Sequence, residues 1–142
     1  MRRCDPERVH PVARGFLRLV DLRVRCDKSA PATARRAVSS LKAAREVIGD
    51  LRLIASELVT NAILYSGCTE QDELELRLEQ ADGHFRLSVV DPGRTANSAR
   101  VAVDEQRASG GMGLFVVEQL ASRWGADRSD RYRVWAEVPL AH

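Results

Sequence analysis

Glu57 and Asn61 stand four residues apart in an apolar-periodic stretch that reads Ser56-Glu57-Leu58-Val59-Thr60-Asn61-Ala62. On a helix that interval puts both side chains on one face. The Asn61 amide oxygen suits Mg²⁺, a hard cation that favours oxygen ligands and keeps several waters. Glu57 beside it can orient or deprotonate an attacking hydroxyl. Further along, Gly110-Gly111-Met112-Gly113-Leu114 opens a second helical pattern. A glycine cluster at a helix start offers bare backbone N–H groups and a dipole end to phosphates. Between the two lies Val89-Val90-Asp91-Pro92-Gly93. Asp91, at the end of a strand pattern, can accept a hydrogen bond from an adenine amino group, and Gly93 lets the backbone approach the base closely. Together the three segments describe a nucleotide site built from separate pieces of chain.

Each piece also has a plainer reading. Glu57 and Asn61 could sit on the wet face of an amphipathic helix, but Leu58-Val59 and Ala62-Ile63 leave that helix largely apolar, which favours a cleft. Asp91 could simply start a Pro-Gly turn. The glycines could be a hinge, yet three in four positions exceed what a cap requires. No G-x-x-x-x-G-K-[ST] occurs, and neither G-x-G-x-x-G nor a parallel βαβ unit is present, so P-loop and Rossmann readings fall away. His10, His84 and His142 are scattered and lack metal-ligand spacing. No G-x-S-x-G or Cys/His dyad signature appears. Trp124 and Trp135 read as core or interface aromatics. Arg94, Arg100 and Arg107 could reach a γ-phosphate, although each alone reads as solvated.

These residues need elements to hold them. Gly15 to Cys26 alternates as a strand with a slip at Leu19-Val20 that reads as a bulge. Pro31 suits a first helical turn, and Ala34, Val38, Leu41, Ala44 and Ile48 predict a helix over 31–48. Gly49 is expected to end it and Asp50 to cap the next, which runs to Tyr65 and stops at Ser66-Gly67. Glu73 to Gln80 alternates with Leu74, Leu76 and Leu78 inward; Asp82-Gly83 signals a two-residue hairpin, and Phe85 to Val90 returns. Pro92 to Gly110 reads as a lid, with a short helix near 99–103. A helix over 113–123 and a strand over 132–138 complete the pattern. The expected fold is a two-layer α/β sandwich, with a mixed, mostly antiparallel sheet covered on one face by helices.

The 142 residues suit one domain, 15–142, behind a loose tail, 1–14. Apolar content of 44% with 30% charged residues reads as globular and soluble. A net charge of +2 points to no direct nucleic-acid or anionic-membrane partner. Lys28 and Lys42 are the only lysines. Cys4, Cys26 and Cys68 form an odd count with no C-x-x-C, which argues against a disulfide framework and for a reducing cytoplasm. No signal peptide or membrane-spanning segment is read.

The chain resembles the GHKL, or Bergerat-fold, ATPases, and among them the small stand-alone anti-sigma-factor serine/threonine kinases of bacteria. Ser56 to Ala62 looks like the family's N box, Asp91-Pro92-Gly93 like its first glycine box, and Gly110 to Leu114 like its second. Val134-Trp135-Ala136-Glu137 resembles the closing strand of actinobacterial-type members. The resemblance spans about 16–138. It implies that Glu57 is the catalytic base, Asn61 the Mg²⁺ ligand and Asp91 the adenine contact. Gly93 then makes room for the base, while Gly111, Met112, Gly113 and Leu114 form the phosphate box under the 94–110 lid. The implied cofactors are ATP and Mg²⁺. The implied partners are a sigma factor and a small anti-sigma-factor antagonist protein phosphorylated on serine or threonine, with a homodimer as the implied assembly. The alternative is a non-catalytic regulatory module that uses ATP to set its shape. Histidine kinases share the ATP module but carry an upstream dimerisation helix with a phospho-accepting His, which the residues before Gly15 do not supply. The family pattern is altered where Tyr65-Ser66 replaces a frequent His, where Arg94-Thr95 follows Gly93, and where Arg131-Tyr132-Arg133 replaces Gly-Lys-Thr. The last change removes the Thr hydroxyl that the resemblance would place at the adenine end.

Overall fold

The computed structural model describes residues 17–43, 45–93, 113–128 and 130–140. Strand β1 (Leu17–Arg25) leads into helices α1 (Ala30–Ser39) and α2 (Arg45–Tyr65). The hairpin β2 (Glu73–Ala81) and β3 (His84–Asp91) follows, then α3 (Gly113–Leu120), β4 (Arg123–Arg128) and β5 (Tyr132–Pro139). The five strands form one sheet in the order β1-β2-β3-β5-β4, and every neighbouring pair is antiparallel. The fold is a two-layer α/β sandwich, as its alternating patterns dictate.

Strand alternation sends Leu74, Leu76 and Leu78 to the helix layer together with Phe85, Leu87, Val89, Val134, Ala136 and Val138, all buried. The helices answer with Ala34 and Val38 from α1, Val47, Leu51, Ile54, Leu58 and Val59 from α2, and Val117 from α3. Their spacing is that of an apolar stripe on a 3.6-residue period. The register of β1 on β2 shifts between Arg18 and Val20, at the expected slip. Ala81 pairs with His84 across Asp82-Gly83, and Gly83 takes the positive φ of 82° that such a tight turn requires.

Four expectations are corrected. The first helix stops at Ser39 rather than 48, and α2 begins at Arg45, so Gly49 lies inside a helix instead of ending one. The cause is local: the Ser39 hydroxyl donates to the Arg35 carbonyl at 2.8 Å and the Ser40 hydroxyl to the Ala37 carbonyl at 2.7 Å, competing with the helix ladder. The third helix ends at Leu120, because the next turn is taken by an unforeseen strand, β4. Ser122 donates from both its amide and its hydroxyl to the Glu137 carbonyl, which starts that strand against β5. The sheet is antiparallel throughout rather than mixed. Finally, Cys26 and Cys68 are joined as a disulfide with Cα atoms 6.3 Å apart, against the expectation drawn from the odd count. That bond ties the end of β1 to the turn after α2. Among the described residues no helix is long and apolar enough to cross a membrane.

The sheet face away from the helices is closed by its own charges. Arg86 is 2% exposed and donates to Glu137 at 2.5 Å, while Arg123 approaches the other Glu137 oxygen at 3.7 Å. Both guanidiniums lie over the Trp135 ring, at 5.1 and 5.6 Å from its centroid, so a fully buried indole is roofed by arginine stems. Glu75 is held by Arg77 and Arg131, and Arg18 lies 3.7 Å from Glu79. Burial lowers the pKa of Arg86, and the hydrogen bond and charge of Glu137 oppose that shift.

Candidate nucleotide site

Helix α2 buries Val47, Leu51, Ile54, Ala55, Leu58, Val59 and Ala62 against the sheet and its neighbours. Asn61 goes in with them at 6% exposure, whereas Glu57, one turn earlier, is half-buried. A buried amide on an otherwise apolar helix face has a polar task, since such groups are kept only where they find partners. Desolvation pushes the Glu57 carboxyl above its ordinary value. That is the direction a general base needs in order to hold a proton briefly near neutral pH.

Asp91 ends β3 and pairs with Tyr132 of β5. Alternation places it on the same face of the sheet as Leu87 and Val89, under the helices. It is 4% exposed, and burial raises its pKa against the opposing pull of the Gly93 amide, Arg128 and Arg131. Its Oδ1 accepts the Gly93 N–H at 2.6 Å. The turn-starting role and the ligand role are therefore compatible. Oδ1 closes the Asp-Pro-Gly turn, and Oδ2 accepts no hydrogen bond among the described residues.

Gly93 adopts φ of 71°, and a Cβ there would sit 3.0 Å from Arg128 Nη1 and 3.3 Å from the Tyr132 amide nitrogen. Both the conformation and the closeness require glycine. Arg128 Nη1 donates to the Gly93 carbonyl at 2.8 Å, and its guanidinium lies 4.9 Å from the Tyr132 ring centroid. Sequence reasoning passed over Arg128 because it missed β4. The register of that strand, Arg128 opposite Tyr132 and Tyr132 opposite Asp91, is the signal that finds it.

Helix α2 packs directly on β3 and on α3. The structure thus brings the helix of Glu57 and Asn61 against the strand that ends in Asp91 and the helix that starts at Gly113. Leu114 is the second residue of that helix. Gly111 and Met112, the lid over 94–110 with Arg94, Arg100 and Arg107, and the short helix expected at 99–103 lie outside the described residues. So do the tail 1–14, His10 and His142.

The donor set fits an adenine nucleotide: a buried carboxylate with an available oxygen, beside a backbone stretch stripped of side chain. Among the described residues no three of His, Cys, Asp and Glu gather to hold a metal. A divalent cation would rest on the Asn61 oxygen together with phosphate and water oxygens, the usual habit of Mg²⁺. No curated protein is significantly similar to the chain. The family model described as the histidine kinase-like ATPase domain matches residues 5–135. That match spans all three segments of the site, and with the antiparallel sandwich that carries them it shows that the chain belongs to the histidine kinase-like ATPase domain family.

Proposed function

We propose that the chain is an ATP-dependent protein serine/threonine kinase that also acts as an anti-sigma factor. It would phosphorylate a small antagonist protein and sequester a sigma factor while that antagonist is phosphorylated. The observation that carries the reading is the pairing on α2 of a half-buried carboxyl with raised proton affinity, Glu57, and a buried amide one turn on, Asn61. ATP supplies the phosphoryl group. Asp91 would hold the base end through Oδ2, and Asn61 would hold the cation. Glu57 would take the proton of the acceptor hydroxyl as the hydroxyl oxygen bonds to the γ-phosphorus, whose bond to the β-phosphate oxygen breaks to release ADP. The partners, the use of Mg²⁺ and a homodimeric assembly rest on the sequence resemblance.

Calorimetric titration with ATP and ADP, with and without Mg²⁺, comes first. Binding strengthened by Mg²⁺ and weakened in Asp91→Ala supports the site. In Glu57→Gln, transfer of labelled phosphate to the antagonist should fall by about 100-fold or more, the scale of general-base catalysis, while ATP binding persists. Equal transfer by that variant refutes the assigned base. ATP binding with no transfer by the wild type to any antagonist favours the non-catalytic module.

A further inference from the structure

Arg18, Arg77, Arg86, Arg123, Arg131 and Arg133 each meet a carboxylate within ion-pair distance. Arg35, Arg36 and Arg52 do not: among the described residues none of the three forms an ion pair. They converge instead on a groove of about 480 Å³ between α1 and α2, whose other lining residues are Ala32, Ser39 and Ser40. Among the described residues no acidic one lines it.

The convergence is built by helical spacing. Ala32 and Arg36, Arg35 and Ser39, and Arg36 and Ser40 are each one turn apart on α1. Arg52 leaves α2 one turn before Ser56, and the Ser56 hydroxyl oxygen accepts from Arg35 Nη1 at 2.8 Å. The Arg35 head is thereby fixed against the stretch of α2 from which Arg52 emerges. Arg36 Nη2 is held by the Thr33 hydroxyl at 3.3 Å. Two of the three guanidiniums are thus oriented by neutral oxygens, which aim them without cancelling their charge. Both groove serines donate to carbonyls of their own helix, so the N–H groups left for a ligand are the guanidinium ones. Three like charges gathered without a counter-charge repel, and a ligand that supplies two negative charges reverses the balance. The planar fork of arginine matches phosphate oxygens in pairs.

We propose that the α1–α2 groove is an oxyanion site that takes a phosphomonoester dianion through Arg35, Arg36 and Arg52. It shares no residue with the nucleotide site, and its test needs no ATP. A lone carboxylate would leave two of the three charges unmatched, which is why a phosphoryl group is the fitting ligand. The ligand could be free phosphate or a phosphorylated side chain of a protein, and the experiment separates these sources.

The test is titration of the ¹⁵N-labelled full chain with sodium phosphate, against sodium chloride at matched ionic strength. Saturating amide shifts are expected over 32–40 and 52–56. In the exposed double variant Arg36→Gln/Arg52→Gln, with unchanged circular dichroism, the affinity should fall at least tenfold. A phosphoserine peptide that saturates the same amides at tenfold lower concentration assigns the site to a phosphorylated protein, and equal saturation assigns it to free phosphate; both support the proposal. Shifts that match chloride, shifts confined to other residues, undiminished binding by the double variant, or a glutamate-rich peptide binding as tightly as the phosphopeptide would each overturn it.

Discussion

Three glycines in this fold invite the same substitution and should give three different answers. Gly49 lies inside α2 with nothing within 4 Å of an added Cβ, so Gly49→Ala should stabilise the protein by about 0.5–1 kcal/mol through helix propensity. Gly83, at φ of 82°, also has open space around it, so Gly83→Ala should lose only the left-handed backbone term, about 1–2 kcal/mol. Gly93, at φ of 71°, carries that term and a contact as well, since the new methyl would meet Arg128 Nη1 at 3.0 Å and the Tyr132 amide nitrogen at 3.3 Å. The guanidinium and the Tyr132 backbone must then give by a few tenths of an ångström, which strains the hydrogen bond to the Gly93 carbonyl, worth about 1 kcal/mol. Gly93→Ala should therefore cost about 2–4 kcal/mol. Urea unfolding with a shared m-value reads all three, and each kcal/mol should move the melting temperature by about 3–5 °C for a chain of this length. Gly93→Asn, which tolerates the backbone conformation better, isolates the contact from the φ term. If Gly93→Ala costs no more than Gly83→Ala, the Arg128 closure of the Asp91 turn is wrong. If Gly49→Ala destabilises, the continuous α2 from Arg45 is wrong.

Asp91→Asn should weaken ATP binding by about 10- to 100-fold, the worth of a hydrogen bond to a charged acceptor, while stabilising the fold at neutral pH. The sign follows from the raised Asp91 pKa: its favourable share is complete below the unfolded value of 3.8 and is lost as pH rises through the folded value. The advantage of the variant should vanish in acid, and a wild type that gains on the variant as pH rises contradicts the burial argument. Asn61→Ala should abolish the Mg²⁺-dependent part of ATP affinity in calorimetry and leave the metal-free part. Reducing the Cys26–Cys68 bond, which spans 42 residues, should lower stability by about 2–4 kcal/mol in urea unfolding, with Cys68→Ser matching the reduced protein. Glu137→Ala leaves Arg86 charged and buried and should cost about 3–5 kcal/mol.

Period and punctuation made most of the sandwich legible in advance. The strict alternation of Leu74, Leu76 and Leu78, the Asp82-Gly83 turn and the apolar face of α2 each have one sensible solution. The nucleotide segments were legible as types and intervals, but not their closure. Arg128 acts through a carbonyl and a ring supplied by distant residues, which no local pattern encodes. Strand β4 escaped because Arg123-Trp124-Gly125-Ala126-Asp127-Arg128 carries a glycine and three charges, and its pairing is set by β5. The helix boundary near Ser39 escaped because the apolar spacing of Ala34 and Val38 runs on through Leu41, Ala44 and Ile48 while serine hydroxyls break the ladder. The cysteine parity argument failed because one of the three can stand apart from a bonded pair.

The last strand in sequence among the described residues is not at the edge of the sheet: β5 lies between β3 and β4. During synthesis the β2–β3 hairpin can pair with β1, which is joined to it through α1 and α2, as these elements emerge. The β4 segment then waits for its neighbour, because β5, its strand partner among the described residues, is made after it. A nascent or truncated chain that stops short of Tyr132 exposes the inner edge of β3 and an orphan β4, both open to pairing with other chains. Closure of the β3 edge and pairing of β4 are therefore both coupled to β5, and changes in that strand act on the middle of the sheet.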